Sequence, residues 1–99
     1  MKIEVTKPAV RWFKEQFDTE ENQYIRFFAR YGGCGSFQSG FSLGISQEVP
    51  ERPLAEYKIE DCIFYVEEQD AWYFGQHNLK VKYSRTKDEI EFESQEITS

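Results

Sequence analysis

The sequence predicts a small α+β domain, because it combines a high aromatic content, one helical repeat near the N-terminus and several stretches of alternating hydrophobicity. Of the 99 residues, 17% are aromatic, while leucine occurs only three times. Aromatic and β-branched side chains suit a pleated, half-buried surface, whereas helical bundles depend mainly on Leu and Ala. A chain of this length supports one hydrophobic core but not two. We therefore expect a single domain over residues 1–94, with residues 95–99 as a frayed tail.

The N-terminal segment predicts a short strand followed by an amphipathic helix. Residues 2–5 alternate between polar and apolar, and Thr6 is a suitable helix N-cap with Pro8 in the first turn. Apolar side chains then recur every four residues, at Ala9, Phe13 and Phe17. This spacing places them on one helical face, and the helix is expected to end in the polar run 18–22.

From Tyr24 the apolar period changes to two, which predicts the clearest strand in the chain. One face carries Ile25, Phe27, Ala29 and Tyr31, and the other carries Arg26, Phe28 and Arg30. The two arginines on the second face either bind carboxylates of a partner protein or are simply solvated. The strand is expected to lead into a glycine-rich loop at 32–36 and a second strand at 41–45.

The second half of the chain predicts further strands and one short helix. Residues 46–56 contain two prolines among charged residues and are expected to form an exposed loop. A strand at 57–59 and a turn at 60–61 precede a strand whose apolar face is made of Cys62, Phe64 and Val66. Residues 67–74 predict a short helix that begins with acidic residues and is stopped by Gly75.

The last hairpin can be assigned a register from the sequence. A loop of four residues at 85–88 places apolar partners on one face and Lys–Glu pairs on the other. A slip of one residue would place charge against the core. The predicted pairs are Ser84 with Glu89, Tyr83 with Ile90, Lys82 with Glu91, Val81 with Phe92, and Lys80 with Glu93.

Charge and composition exclude several classes of function. Eighteen acidic residues against twelve basic ones give a net charge of −6, which disfavours nucleic-acid binding. No apolar stretch approaches the length of a membrane span, and the N-terminus lacks the apolar core of a signal peptide. We therefore expect a cytoplasmic protein that binds neither nucleic acid nor membrane, with its two cysteines as thiols. No nucleophile–base pairing or phosphate-binding motif predicts an enzyme.

The segment with the most chemical potential is the glycine-rich loop around Cys34. Gly32, Gly33 and Gly35 free the backbone there, and consecutive amides can hydrogen-bond a thiolate, sulfide or an oxyanion. The same amides can lower the thiol pKa, which would suit a thiol-based redox or conjugation role. The alternative is a glycine turn that holds an incidental cysteine, and the spacing alone does not separate these interpretations.

Three other groups are candidate metal ligands, and each has a simpler structural interpretation. Cys62 shares a face with apolar residues and is expected to be a small buried hydrophobe. His77, the only histidine, lies in a predicted loop without a spaced ligand partner. The third group is an acidic cluster, expected to form a turn and a favourable helix N-terminus rather than a cation site. Its members are Asp61, Glu67, Glu68 and Asp70.

The order of these features resembles the HesB-like family, which includes the A-type iron–sulfur cluster assembly proteins. The resemblance rests on residues 5–9, 25–37 and 40–43, and the stretch 57–74 is also similar to the family's turn, apolar strand and short helix. The family's loop typically reads Gly-Gly-Cys-Ser-Gly-Phe, and this chain has Gly35 and Ser36 in the swapped order. The resemblance implies a compact α+β domain of mixed, barrel-like strands with one N-terminal helix and one short helix.

In the A-type proteins the loop cysteine acts with a C-terminal Cys-Gly-Cys to bind iron or a cluster, usually across a dimer. Cys34 matches the loop cysteine, whereas residues 94–99 contain no cysteine. The resemblance therefore implies transient binding of iron or an iron–sulfur cluster through Cys34 and its glycines, a homodimer, and iron–sulfur assembly proteins as partners. Clusters usually have four cysteine ligands, so the alternative is a non-metal interaction module that kept the fold and lost the ligands.

Overall fold

The computed structural model describes residues 1–17, 23–34, 39–75 and 77–96, and these form seven strands and two α-helices. A 3-10 turn at Glu68–Asp70 leads into the second helix. In chain order the elements are β1 (Ile3–Val5), α1 (Lys7–Gln16), β2 (Tyr24–Cys34), β3 (Ser39–Ser46), β4 (Pro53–Ile59), β5 (Cys62–Glu67), α2 (Ala71–Phe74), β6 (His77–Ser84) and β7 (Glu89–Glu96).

The strands are arranged in two mixed sheets. One sheet has the order β1-β6-β7, and the other has the order β3-β2-β5-β4. The pairs β1–β6 and β2–β5 are parallel, and the remaining pairs are antiparallel. The predicted α+β class with mixed strands is confirmed, and the described strands form two separate sheets rather than one closed barrel.

Helix α1 begins and packs as its sequence predicts. The Thr6 side chain accepts a hydrogen bond from the amide of Ala9 at 3.4 Å, which caps the first turn. Ala9 and Phe13 are fully buried, and Phe17 is half-buried just after the helix. The predicted polar run 18–22 lies outside the described residues.

The C-terminal hairpin has the predicted register at all five of the pairs named above. Strand β7 continues further than expected, because Ser94 pairs with Leu79 and Gln95 pairs with Asn78. Residues 95 and 96, expected in the frayed tail, therefore belong to the sheet, and residues 97–99 lie outside the described part. His77 is the first residue of β6, so the prediction of a loop at that position is wrong.

Two predictions in the second half of the chain are corrected by the sheet. The expected loop 46–56 is shorter, because β4 begins at Pro53, which pairs with Glu67. Proline is tolerated as the first residue of an edge strand, where its missing N–H is not needed. The expected helix 67–74 is also shorter, because Glu67 ends β5 and only residues 71–74 are α-helical. Gly75 stops this helix as predicted, with φ at +57°.

Four phenylalanines join the helix to both sheets in the core. The ring of Phe64 lies 5.1 Å from Phe13 and stacks on Phe27 at 5.9 Å. Phe27 in turn contacts Phe92 of the other sheet at 5.7 Å. This core leaves the far end of β2 beyond its edge, and that end carries the candidate site.

Candidate functional site

Strand β2 carries the Gly-Gly-Cys segment into the sheet instead of leaving it as a loop. The ladder with β3 is regular as far as the pair Tyr31–Phe41, and the next pair is Cys34 with Ser39. Two residues of β2 therefore lie opposite one residue of β3, which defines a β-bulge. Gly32 has φ at +102°, a conformation that favours glycine, so the first glycine permits this irregularity.

The structure describes the backbone of three of the four predicted site residues. Gly32, Gly33 and Cys34 form the last residues of β2, so the prediction that they lie in a loop is corrected. Gly35 lies outside the described residues, and so does the side chain of Cys34. What is described is the backbone that presents this cysteine at the end of a bulged strand.

An exposed group of aromatic rings lies beside this strand end. We call Tyr31, Phe41 and Trp72 the aromatic patch. Phe41 is its centre, with its ring 5.7 Å from Tyr31 and 5.0 Å from Trp72, both nearly perpendicular. Tyr31 is 93% exposed and Trp72 is 51% exposed. The buried ring of Tyr73 lies 6.2 Å from Phe41 and supports the patch from below.

Arg26 lies on the same strand but is neutralised within the chain. Its guanidinium contacts Asp70 at 3.0 Å and Glu48 at 3.4 Å, and only 14% of the side chain is exposed. Burial disfavours the charged guanidinium, but the hydrogen bond and charge of Asp70, aided by Glu48, outweigh it and raise the Arg26 pKa. The carboxylates that bind Arg26 are thus its own chain's, and Arg30 remains exposed on that face.

The four acidic residues predicted at the turn and the helix start do not form one cluster, and their side chains have different surroundings. The buried carboxylate of Glu67 accepts hydrogen bonds from the amides of Glu51 and Arg52, at 3.1 and 3.0 Å. Asp70 pairs with Arg26, while Asp61 and Glu68 are exposed. Glu67 and Asp70 occupy the N-cap positions of the 3-10 turn and of α2, which agrees with the predicted helix start, although neither side chain forms a capping hydrogen bond.

The remaining predicted ligand candidates do not converge on one point in the described structure. Cys62 is fully buried in the core, as predicted, and this burial raises the pKa of its thiol. His77 is half-buried, with Nδ1 3.2 Å from the carbonyl oxygen of Phe74. Within the described ranges, no three side chains of His, Cys, Asp or Glu come together as a metal site.

The sequence does not single out the three residues of the aromatic patch as a site. Tyr31 continues the apolar face of β2, and the alternation alone does not reveal that the core ends before it. Trp72 lies in a short helix far along the chain, and its approach to Phe41 depends on the tertiary fold. The available signal was the clustering of aromatic residues around the Gly-Gly-Cys segment and in the sequence 72–74.

The fold and the site together describe one class of protein. It is a small α+β domain in which a strand ends in Gly-Gly-Cys beside exposed aromatic rings. Residues 1–98 match the family described as iron-sulphur cluster biosynthesis. The chain belongs to this family, which confirms the resemblance to HesB-like proteins. Among the residues that the structure describes, no helix has the length and apolar character needed to cross a membrane.

The chain is similar in sequence to two relatives and in fold to one solved structure. A protein of Bacillus subtilis named pyruvate dehydrogenase inhibitor is 41% identical over 95 residues, covering 96% of this chain and 100% of the relative. An uncharacterised protein of Staphylococcus haemolyticus is 37% identical, covering 93% and 96%. The crystal structure of Escherichia coli SufA, involved in biosynthesis of iron-sulfur clusters, has a TM-score of 0.61 at 15% identity, covering 99% and 82%. The last match supports the fold alone.

Proposed function

We propose that this chain is a non-catalytic binding module that inhibits pyruvate dehydrogenase by docking on it through the aromatic patch. The observation that carries the proposal is the exposure of Tyr31 and Trp72 around Phe41 at the end of β2. The choice of target rests on the 41% identity to the Bacillus subtilis pyruvate dehydrogenase inhibitor, which spans that relative's whole length. The proposed location is the cytoplasm.

The physical basis for docking is the large apolar area that these rings offer at low entropic cost. Tyrosine and tryptophan dominate the binding energy of many interfaces, because their rings are rigid and bury much surface. The patch is preformed, since Phe41 packs against both exposed rings and against the buried ring of Tyr73. A partner therefore does not need to order these side chains on binding.

The test is a titration of purified pyruvate dehydrogenase activity with the wild-type chain and with Tyr31→Ala and Trp72→Ala. We expect each substitution to raise the inhibition constant by about thirtyfold, which corresponds to a loss of about 2 kcal/mol. Val49→Ala is the matched control, because Val49 is an apolar side chain that is 68% exposed outside the patch. It should inhibit like the wild type.

Two results would contradict this proposal. The first is a wild-type chain that neither binds nor inhibits the dehydrogenase. The second is normal inhibition by both patch variants, which would move the docking surface elsewhere. Circular dichroism of each variant separates lost binding from lost folding.

A second candidate function is the handling of iron or an iron–sulfur cluster as cargo through Cys34. It is favoured by the position of Cys34 at the end of a bulged strand, next to the backbone of Gly32 and Gly33, and by the family's description. The described donor set does not suit a resident cluster, because Cys62 is buried in the core and no third ligand joins it. Cargo binding would need Gly35 and ligands from iron–sulfur assembly proteins or from a homodimer.

The cargo hypothesis is tested by iron and sulfide content after anaerobic purification. We compare the wild type with Cys34→Ser, and with Cys62→Ala as the control for the other thiol. Iron that is lost only in Cys34→Ser would support cargo binding. Absence of iron from all three proteins, after reconstitution with ferrous iron and sulfide, would contradict it.

A further inference from the structure

Within the described part of the chain, strand β3 is an unprotected edge of the four-stranded sheet. Edge strands normally carry charged residues, prolines or bulges, or are very short, because an open row of backbone groups otherwise pairs with another chain. Residues 39–46 read Ser-Gly-Phe-Ser-Leu-Gly-Ile-Ser, with no charge and no proline. None of the described strands pairs with the side of β3 that faces away from β2.

The other edges in the described structure are protected. Strand β4, at the opposite edge of the same sheet, begins with a proline and contains one glutamate and one lysine. Strand β7 carries glutamate at every second position from 89 to 93. Strand β1 has only three residues, and Glu4 is one of them. The contrast identifies β3 as the edge that is suited to accept a strand.

The two faces of β3 are also compatible with an added strand. Phe41, Leu43 and Ile45 pack on the core while remaining half-buried, so one face offers apolar contact along its length. The other face carries serine and glycine. A Cβ atom on Gly44 would lie 2.4 Å from Phe28 and 2.6 Å from Arg30, because side chains of the neighbouring strand cover this glycine.

We propose that β3 pairs antiparallel with β3 of a second copy of this chain, which joins two four-stranded sheets into one. A two-fold axis at Leu43 places Phe41 opposite Ile45 of the partner subunit and Leu43 opposite itself. The strand therefore matches its own apolar alternation. Each chain carries a net charge of −6, so two copies repel one another over most of their surfaces. Strand β3 has no charged residue, so two β3 strands can pair without like charges facing each other.

This dimer keeps the two Cys34 segments apart. Cys34 pairs with Ser39, and Ser39 would lie opposite residue 47 of the partner subunit. Eight residues of strand separate the two Ser39 positions, which is about 27 Å. The proposed dimer is therefore not one in which two Cys34 thiols share a metal, and it depends on neither candidate function above.

The test uses opposite charges at the position that meets itself on the axis. Leu43→Lys and Leu43→Glu each place like charges against one another, and each should raise the dimer dissociation constant by at least about tenfold. An equimolar mixture pairs lysine with glutamate and should restore the dimer. A variant that had failed to fold would not be rescued by mixing, so the mixture separates lost pairing from lost folding.

The matched controls are Leu54→Lys and Leu54→Glu, because Leu54 lies on β4 at the opposite edge of the same sheet and is 40% exposed. Sedimentation equilibrium should show these variants, and Cys34→Ser, as dimeric as the wild type. A monomeric wild type, no rescue by mixing, or equal effects at Leu43 and Leu54 would overturn the proposal. If β3 instead paired with pyruvate dehydrogenase, the wild type would be a monomer and both Leu43 variants would lose inhibition. This result would also overturn the proposal.

Discussion

Tyr65 combines a buried ring with a hydroxyl that holds the loop after β3. Its hydroxyl donates to the backbone oxygen of Glu48 at 2.6 Å, and the residue is fully buried. Burial, followed by the negative charge of Glu67, raises the pKa of Tyr65 from 10.0 to about 12. Both causes disfavour the phenolate, so this residue links stability to alkaline pH.

We predict that the folded state loses stability between pH 10 and about pH 12 through Tyr65. The folded pKa is higher than the unfolded one, so the contribution is complete below pH 10 and disappears as the pH rises. The expected loss is about 2–3 kcal/mol, because each pKa unit between the folded and unfolded values corresponds to about 1.4 kcal/mol. The free energy of unfolding of Tyr65→Phe, measured with urea, should be about 1 kcal/mol lower than that of the wild type at pH 8. Above pH 10 it should decrease less steeply with pH.

Tyr31→Phe is the control for this experiment, because Tyr31 is exposed and its hydroxyl is outside the core. It should follow the wild-type profile. If Tyr65→Phe lost stability with pH as steeply as the wild type, the assignment to Tyr65 would be wrong.

Individual residues differ in how far their sequence positions predict their surroundings. The burial of Cys62 follows from local alternation with Phe64 and Val66, and the structure confirms it. The ion pair of Arg26 with Asp70 joins residues 44 positions apart and depends on tertiary folding that no local pattern encodes. For the same reason the patch contact between Phe41 and Trp72 could not be predicted.

At the level of elements, the connection between β3 and β4 is fixed by the end of β5. Glu67 accepts the amides of Glu51 and Arg52, and the amide of Glu68 donates to the carbonyl oxygen of Arg52 at 2.9 Å. Three hydrogen bonds therefore attach this connection to the end of β5 and to the turn that follows it. The arrangement gives a reason for an acidic residue that is only 7% exposed.

We predict that Glu67→Ala lowers the free energy of unfolding by about 1–2 kcal/mol, because two backbone amides lose their acceptor. Glu67→Gln should lose less, since its amide oxygen keeps one acceptor. Glu68→Ala is the matched control, because Glu68 is the exposed neighbour of the same charge. Its free energy of unfolding, measured with urea, should stay within about 0.5 kcal/mol of the wild-type value. Equal effects at the two positions would refute the assignment.

The elements show where sequence patterns are sufficient. The hairpin of β6 and β7 was predicted pair by pair, because Lys–Glu and apolar pairs leave one chemically consistent register. The sequence predicts too long a loop at 46–56. Pro53 and its charged neighbours are typical of a loop, but they belong to an edge strand. The bulge before Cys34 was missed because glycines carry no side chains that reveal an alternation.

In the whole molecule, Phe13 connects the helix to the larger sheet and, through Phe27, to the smaller one. Its ring is fully buried, 5.1 Å from Phe64 and 5.9 Å from Phe27, and Phe27 contacts Phe92. Because these rings form one continuous cluster, we expect the two sheets and the helix to unfold together.

We predict that Phe13→Ala costs about 3–5 kcal/mol, a large part of the stability of a domain this small, and Phe13→Leu considerably less. Tryptophan fluorescence and far-ultraviolet circular dichroism should give coincident transitions for the wild type and Phe13→Leu. Phe28→Leu is the control, since Phe28 is half-buried outside the core cluster. Separate transitions for the two probes would show that the sheets are not one cooperative unit.

The parallel pairing of β1 with β6 has a consequence for how this chain is synthesised. Ile3 pairs with Leu79, and the amide of Lys2 donates to the side chain of Asn78 at 2.7 Å. Strand β1 therefore leaves the ribosome long before β6, and it cannot form this pairing until β6 has been synthesised. Contacts so distant in sequence slow folding, so the nascent chain should depend on chaperone protection until β6 emerges.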